Sequence, residues 1–162
     1  MKGRAMDNTQ LSTTGCLELS KELLQGLSHH LEQQLALCDA LENIADGLPE
    51  AVDNQLCLQL ACSIYPIVRS AHEFEEQQLF PALVTARASA HLPQTLDRLH
   101  AEHWEDESFS GELSEALKDF VAGRDRNVEK LGYMLRGFFE GLRRHIAFEK
   151  EALGLMANGP AT

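Results

Sequence analysis

Residues 128–156 read VEKLGYMLRGFFEGLRRHIAFEKEALGLM, and this stretch is the clearest indication of the fold class. Its expected inward-facing residues recur in steps of three and four: Leu131, Leu135, Phe138, Leu142, His145, Glu149 and Leu153. Steps of this size place side chains on one face of an α-helix. The stretch therefore predicts a long amphipathic helix whose apolar stripe carries a histidine and a glutamate one turn apart.

The same periodicity occurs in three earlier segments, at about residues 17–45, 50–80 and 93–121. The expected stripes are Leu23, Leu27, His30, Gln34, Leu37, Leu41 and Ile44 in the first segment, Leu58, Cys62, Tyr65, Val68, His72, Glu76 and Leu79 in the second, and Leu96, Leu99, His103, Asp106, Ser110, Leu113, Leu117 and Phe120 in the third. Because short connections between long helices make neighbours antiparallel, we predict an all-α, up-down-up-down antiparallel four-helix bundle.

Proline and polar residues mark the expected helix boundaries. Pro66 lies inside the second segment and is expected to kink it, because its ring displaces the carbonyl one turn back. Pro81 is expected to end that helix or to start a short extra turn. Pro93 suits the first turn of the third helix, and either Asp125 or Asn127 can cap the fourth.

The length of 162 residues suits a single domain. We expect a flexible N-terminal tail at residues 1–15, the bundle at residues 16–157 and a C-terminal tail at residues 158–162. The first fifteen residues lack the hydrophobic stretch of a signal peptide, and no apolar run approaches the roughly 18 residues of a membrane span. These features predict a protein that is not inserted in a membrane.

Charge and cysteine usage limit the partners and the compartment. A formal net charge of −11 argues against binding to nucleic acid or to an anionic membrane, whose phosphates would be repelled. The four cysteines contain no C-x-x-C pair and match no zinc motif. They are Cys16, Cys38, Cys57 and Cys62. We therefore expect reduced thiols and a cytoplasmic location.

Four histidines, one in each helical segment, indicate a metal site: His30, His72, His103 and His145. Glu76 and Glu149 follow two of them by four residues and lie on the expected apolar stripes. A single such pair could be a solvated ion pair, but a buried carboxylate is costly unless it is paired or bound to metal. Carboxylates can also bridge two ions. The pattern favours a dinuclear centre of iron, manganese or zinc.

Several neighbouring residues leave alternatives open. His29 could replace His30, and His100, three residues before His103, could be a fifth ligand or a rim residue. Glu107 lies just off the third stripe, so we expect it at the surface or behind a ligand. Three further glutamates could support imidazoles in the same way, but we expect them on solvated helix surface: Glu73, Glu75 and Glu102.

The chain resembles the hemerythrin-like, HHE cation-binding family over about residues 17–156. The matching stretches are residues 28–31 (SHHL), 72–81 (HEFEEQQLFP), 101–103 (AEH) and 145–151 (HIAFEKE). The resemblance implies a four-helix bundle with two iron ions joined by an oxo or hydroxo bridge. It also implies terminal ligands at His30, His72, His103 and His145, with Glu76 and Glu149 as bridges.

The resemblance implies a module that binds or senses a small diatomic ligand, O2 or NO, or that handles iron. The alternative is an enzyme-like role in repair of iron–sulfur centres or in removal of peroxide or nitric oxide. Oxygen-carrying members have five histidines, with His-x-x-x-His on the third helix, whereas this chain has His100-x-x-His103. A four-histidine, two-glutamate set is more similar to the members that repair iron–sulfur centres. A bundle with purely structural core histidines is the third hypothesis.

Overall fold

The computed structural model describes residues 19–86 and 90–153, and all regular structure in these ranges is helical. The helices are α1 (Lys21–Gly47), α2 (Asn54–Phe74), a π-helical turn (Glu75–Leu79), α3 (Phe80–Thr85), α4 (Leu92–Val121) and α5 (Val128–Ala152). The tails predicted at residues 1–15 and 158–162 lie outside the described residues. Within those described, no helix is long and apolar enough to cross a membrane.

The long helices α1, α2, α4 and α5 form the predicted four-helix bundle. In the bundle, α1 packs on α2, α2 on α4, α4 on α5, and α5 returns to α1. Ion pairs show the direction of the last contact: Arg143 lies 2.6 Å from Asp39, and Arg136 lies 3.4 Å from Asp46. Since numbers rise along α1 as they fall along α5, these two helices are antiparallel.

Local sequence explains where the helices begin. The Asp53 side chain accepts from the first turn of α2, and Asn127, rather than Asp125, caps α5 by accepting from Lys130 N at 2.9 Å. Pro93 lies in the first turn of α4, as predicted. Pro81 lies in the first turn of the short α3, so the extra-turn alternative is the correct one.

The core confirms the predicted stripes of α1, α4 and α5 but not the first half of the α2 stripe. Cys57 and Ile64 are fully buried, whereas Leu58 and Tyr65, which we expected inside, are 44% and 42% exposed. The N-terminal half of α2 carries apolar residues at both adjacent helical phases, so periodicity alone does not choose between them. Packing against α1 and α4 selects the phase one residue earlier. Pro66 lies within α2 and is exposed, and the kink predicted there stays a prediction.

Candidate metal centre

Three histidines from three helices converge in the bundle core. His72 of α2, His103 of α4 and His145 of α5 are each at most 5% exposed. The ring centroids of His72 and His103 are 3.9 Å apart, and those of His103 and His145 are 5.2 Å apart. One ligand nitrogen from each ring lies within 4.8 Å of the other two. The three rings are therefore close enough to bind one ion or two adjacent ions.

Two fully buried carboxylates lie beside these rings. Glu75 and Glu149 are 0% exposed, and each offers an oxygen within 4.8 Å of a His145 nitrogen and of the other carboxylate. Both oxygens of each carboxylate lack a hydrogen-bond partner. Oε2 of Glu75 lies 2.9 Å from Nε2 of His103, in an orientation that makes no hydrogen bond. Such buried oxygens are expensive to desolvate, and a cation between them would offset that cost.

Each clustered imidazole has its two nitrogens in different environments. The Nδ1 atoms face carboxylates: His72 faces Glu107 at 3.2 Å, His103 faces Glu76 at 2.7 Å and His145 faces Glu102 at 2.9 Å. The Nε2 atoms are buried without a hydrogen-bond partner. Because an ionised carboxylate can only accept, each Nδ1–H donates, and in the neutral imidazoles of His72 and His145 Nε2 keeps its lone pair. This is the arrangement that orients metal-ligating histidines.

Burial and mutual repulsion keep two of these imidazoles neutral. Burial, together with the neighbouring charges of His103 and His145, lowers the pKa of His72 to about 2. Burial and His103 also lower the pKa of His145. Burial acts in the same direction on His103, but contacts with Glu75 and Glu76 outweigh it and raise the pKa of His103. A neutral imidazole is the form that binds metal.

The Glu149 carboxyl shows the opposite effect. Burial and the nearby charge of Glu75 raise its pKa, because both disfavour the ionised form. Asp106 of α4 borders the same cluster, 3.7 Å from Nδ1 of His145. Burial raises the pKa of Asp106 to about 7. A metal cation beside the carboxyl groups of Glu149 and Asp106 would lower their pKa values again and favour the ionised forms.

The structure exchanges the positions expected for Glu75 and Glu76. Glu75, which we expected on solvated surface, is fully buried in the cluster, so that expectation is wrong. Glu76 is 38% exposed and lies outside the cluster, between Nδ1 of His103 and Nδ1 of His100. Glu75 and Glu76 follow the buried His72 by three and four residues, so helical spacing alone does not choose between them, and the π-helical turn that begins at Glu75 decides it. Such turns are frequent at functional sites.

On α1, His30 faces the bundle and His29 is exposed. The ring of His30 packs on Phe74 with centroids 4.9 Å apart, and its Nδ1 is buried without a hydrogen-bond partner. Burial lowers the pKa of His30, and the charge of Glu75 opposes this effect. Among the described residues, His30 belongs to none of the three groups of closely spaced candidate ligands. Its role as a ligand stays a prediction.

Sequence reasoning passed over two polar residues on its own stripes. Gln34 of α1 is 1% exposed, and neither polar atom of its amide has a partner. Asp106 lies in a pocket of about 270 Å³ between α4 and α5, whose lining also includes His145 and Gly141. The sequence feature that could have identified Gln34 and Asp106 as site residues is a polar side chain within an otherwise apolar helical stripe. The pocket connects the edge of the cluster with the surface.

Comparison with known families agrees with this geometry. The family model for the hemerythrin HHE cation-binding domain matches residues 22–157, which is most of the chain. No curated protein and no solved structure matches the amino-acid chain itself. The family match spans α1 to α5 and contains every histidine and glutamate of the cluster. The chain therefore belongs to the hemerythrin HHE cation-binding domain family.

Proposed function

We propose that this chain holds two iron ions between its helices and uses them to bind or sense O2 or NO. The observation that carries the proposal is the set of inward-facing, unpartnered donors: Nε2 of His72, His103 and His145, with the carboxylates of Glu75 and Glu149. Imidazole mixed with carboxylate suits iron. When bound, iron supplies the redox chemistry and the affinity for diatomic ligands.

The proposed ligands differ from the sequence prediction at one position. His72, His103, His145 and Glu149 would hold the ions together with His30 from α1, and these five are the residues that the sequence predicted. Glu75 would supply the second carboxylate in place of Glu76, because Glu75 alone of the two is buried in the cluster. Four imidazoles and two bridges fill about eight of about twelve positions of two six-coordinate ions. Positions therefore remain for a small ligand.

The surrounding residues control access and polarity. Leu99, Phe138 and Leu142 are almost completely buried on the inner faces of α4 and α5, so they limit water around the cluster. The pocket between α4 and α5 provides a polar route to His145. Asp106 lines this route and, with its raised pKa, can hold a proton at its carboxyl near neutral pH. Together these groups admit a small molecule while excluding bulk solvent.

Reconstitution with ferrous iron under argon tests the proposal. We expect about two iron ions per chain, with near-ultraviolet absorption of a coupled ferric pair after oxidation, because the donors are sufficient for two ions. Elemental analysis and absorption spectroscopy measure both. Less than about half an equivalent of any transition metal would contradict a metal function. Two zinc ions would retain the site but exclude the redox role, because zinc has no redox chemistry.

Catalytic removal of nitric oxide or peroxide, or repair of iron–sulfur centres, is the second candidate. The observation that favours it is the position of His100, which is exposed and lies outside the buried cluster. Without a fifth imidazole, more metal positions remain open to a reacting ligand. Stopped-flow mixing of the reduced protein with O2 or NO separates the two functions. A reversible adduct supports binding, and multiple turnovers support catalysis.

Replacement of His100 tests the number of histidine ligands. We expect His100→Ala to retain both irons and the absorption band, because the His100 ring contacts Glu76 at 3.1 Å on the outer side of the cluster. His103→Ala serves as the matched comparison on the same helix and should lose at least one iron. Iron analysis and the ferric spectrum are the measurements. Equal damage in both variants would instead place His100 among the ligands.

A further inference from the structure

A second layer of charged residues surrounds the three clustered histidines. Each histidine contacts a carboxylate from a neighbouring helical segment, and each carboxylate contacts a cationic or titratable side chain. The three side-chain triads are His72–Glu107–Arg69, His145–Glu102–Arg98 and His103–Glu76–His100. The distance from the carboxylate to the outermost side chain is 3.0 Å in the first, 2.7 Å in the second and 3.1 Å in the third. The repetition of the same order at all three histidines indicates a shared role.

The triad that contains Glu76 differs from the other two in its outermost side chain. Glu107 and Glu102 each contact an arginine, whose permanent charge neutralises the carboxylate and weakens it as an acceptor. Glu76 has an imidazole in that position. Its contact with Nδ1 of His103, at 2.7 Å, is also the shortest of the three. Glu76 therefore withdraws the Nδ1 proton most strongly and makes Nε2 of His103 the most basic.

We propose that Glu76, Glu102 and Glu107 are positioning residues that fix the tautomer and direction of their histidines, and that Glu76 makes His103 the strongest imidazole donor. The centre is thus electronically uneven, with its more electron-rich side at His103. This inference rests on the proposed function, because it concerns the same buried site. It assigns to Glu76 a role through His103 instead of direct contact with the ions.

Glutamine variants separate charge from hydrogen bonding. In Glu76→Gln, Glu102→Gln and Glu107→Gln the amide oxygen can still accept from Nδ1–H, but the negative charge is removed. Loss of such a partner weakens metal affinity by about 10–100-fold. We expect that loss in competition with a ferrous chelator, together with a rise in midpoint potential, and both effects should be largest for Glu76→Gln. Glu73→Gln is the control, since Glu73 shares Arg69 with Glu107 without a described histidine contact.

Alanine variants and the metal-free protein provide an independent readout. Nitrogen-15 spectra of the metal-free chain should show Nδ1 protonated in the clustered histidines, with the Nδ1–H tautomer reduced by alanine and kept by glutamine. Effects equal to those of Glu73→Gln would overturn the inference, and so would neutral His72 and His145 rings protonated at Nε2 in place of Nδ1 in the wild type. If the wild type took up no iron, the proposed function would fail instead. If it took up two while the glutamine variants matched the control, only this inference would fail.

Discussion

Replacement of Glu75 with glutamine is expected to remove at least one iron from each chain, whereas Glu76→Gln should still load both. Glu75 is 0% exposed and neither of its oxygens has a hydrogen-bond partner, so its 2.9 Å contact with Nε2 of His103 compensates its burial only in part. Glu76 is 38% exposed and hydrogen-bonded to a histidine from outside. An amide cannot bridge two ions as a carboxylate does. Iron content after loading with excess ferrous iron, without chelator, measures the difference.

Circular dichroism provides the control for this comparison. Glutamine has nearly the shape of glutamate and is neutral, so both variants should retain the helical spectrum of the wild type. Two irons in Glu75→Gln combined with iron loss in Glu76→Gln would show that Glu76 is the bridge. That result would restore the assignment implied by the family resemblance.

Replacement of Glu149 with glutamine should stabilise the metal-free protein at alkaline pH while it abolishes the dinuclear centre. The pKa of Glu149 is raised in the folded state, so the folded chain holds a proton that the unfolded chain has lost above the ordinary carboxyl pKa. Stability therefore falls as pH rises through this window, by at most about 1.4 kcal/mol per pH unit for one group. Because glutamine does not titrate, Glu149→Gln should make the free energy of unfolding depend less on pH.

Urea unfolding of chelator-treated protein between pH 7 and 9 measures this effect. The wild type should lose more free energy of unfolding across this range than Glu149→Gln. Asp106 titrates in both proteins, so its contribution cancels in the comparison. Glu140→Gln, at an exposed position of the same helix, should follow the wild type. If the free energy of unfolding changed with pH in the same way in the wild type and in Glu149→Gln, the pKa of Glu149 would not be raised in the folded protein.

The amino-acid sequence by itself determined the fold class and which histidines of α2, α4 and α5 face the bundle interior. Steps of three and four residues located all four long helices, because an apolar stripe must face the bundle interior whatever its neighbours are. The same stripes placed His72, His103, His145 and Glu149 inside, where the structure has them. The resemblance carried by residues 72–81 and 145–151 was confirmed by the family match.

Only the tertiary structure decided which of two adjacent residues is buried where the sequence pattern allowed either. On α2 two adjacent phases were apolar, and packing against α1 and α4 chose the phase that buries Cys57 and Ile64. Beyond His72, which is buried as predicted, the π-helical turn placed Glu75 inside the cluster and Glu76 outside it. A change of one residue rotates a helical side chain by about 100°, so a local pattern that tolerates both phases cannot predict which is buried.

The carboxylates behind the histidines also depended on tertiary structure. Glu76 lies 27 positions from His103, Glu107 35 positions from His72 and Glu102 43 positions from His145. Helical spacing relates residues within one segment and carries no information on which side chains meet across a helix interface. The sequence therefore placed His72, His103, His145 and Glu149 on the inner faces of their own helices. The antiparallel alignment of the helices determined which glutamate supports which histidine.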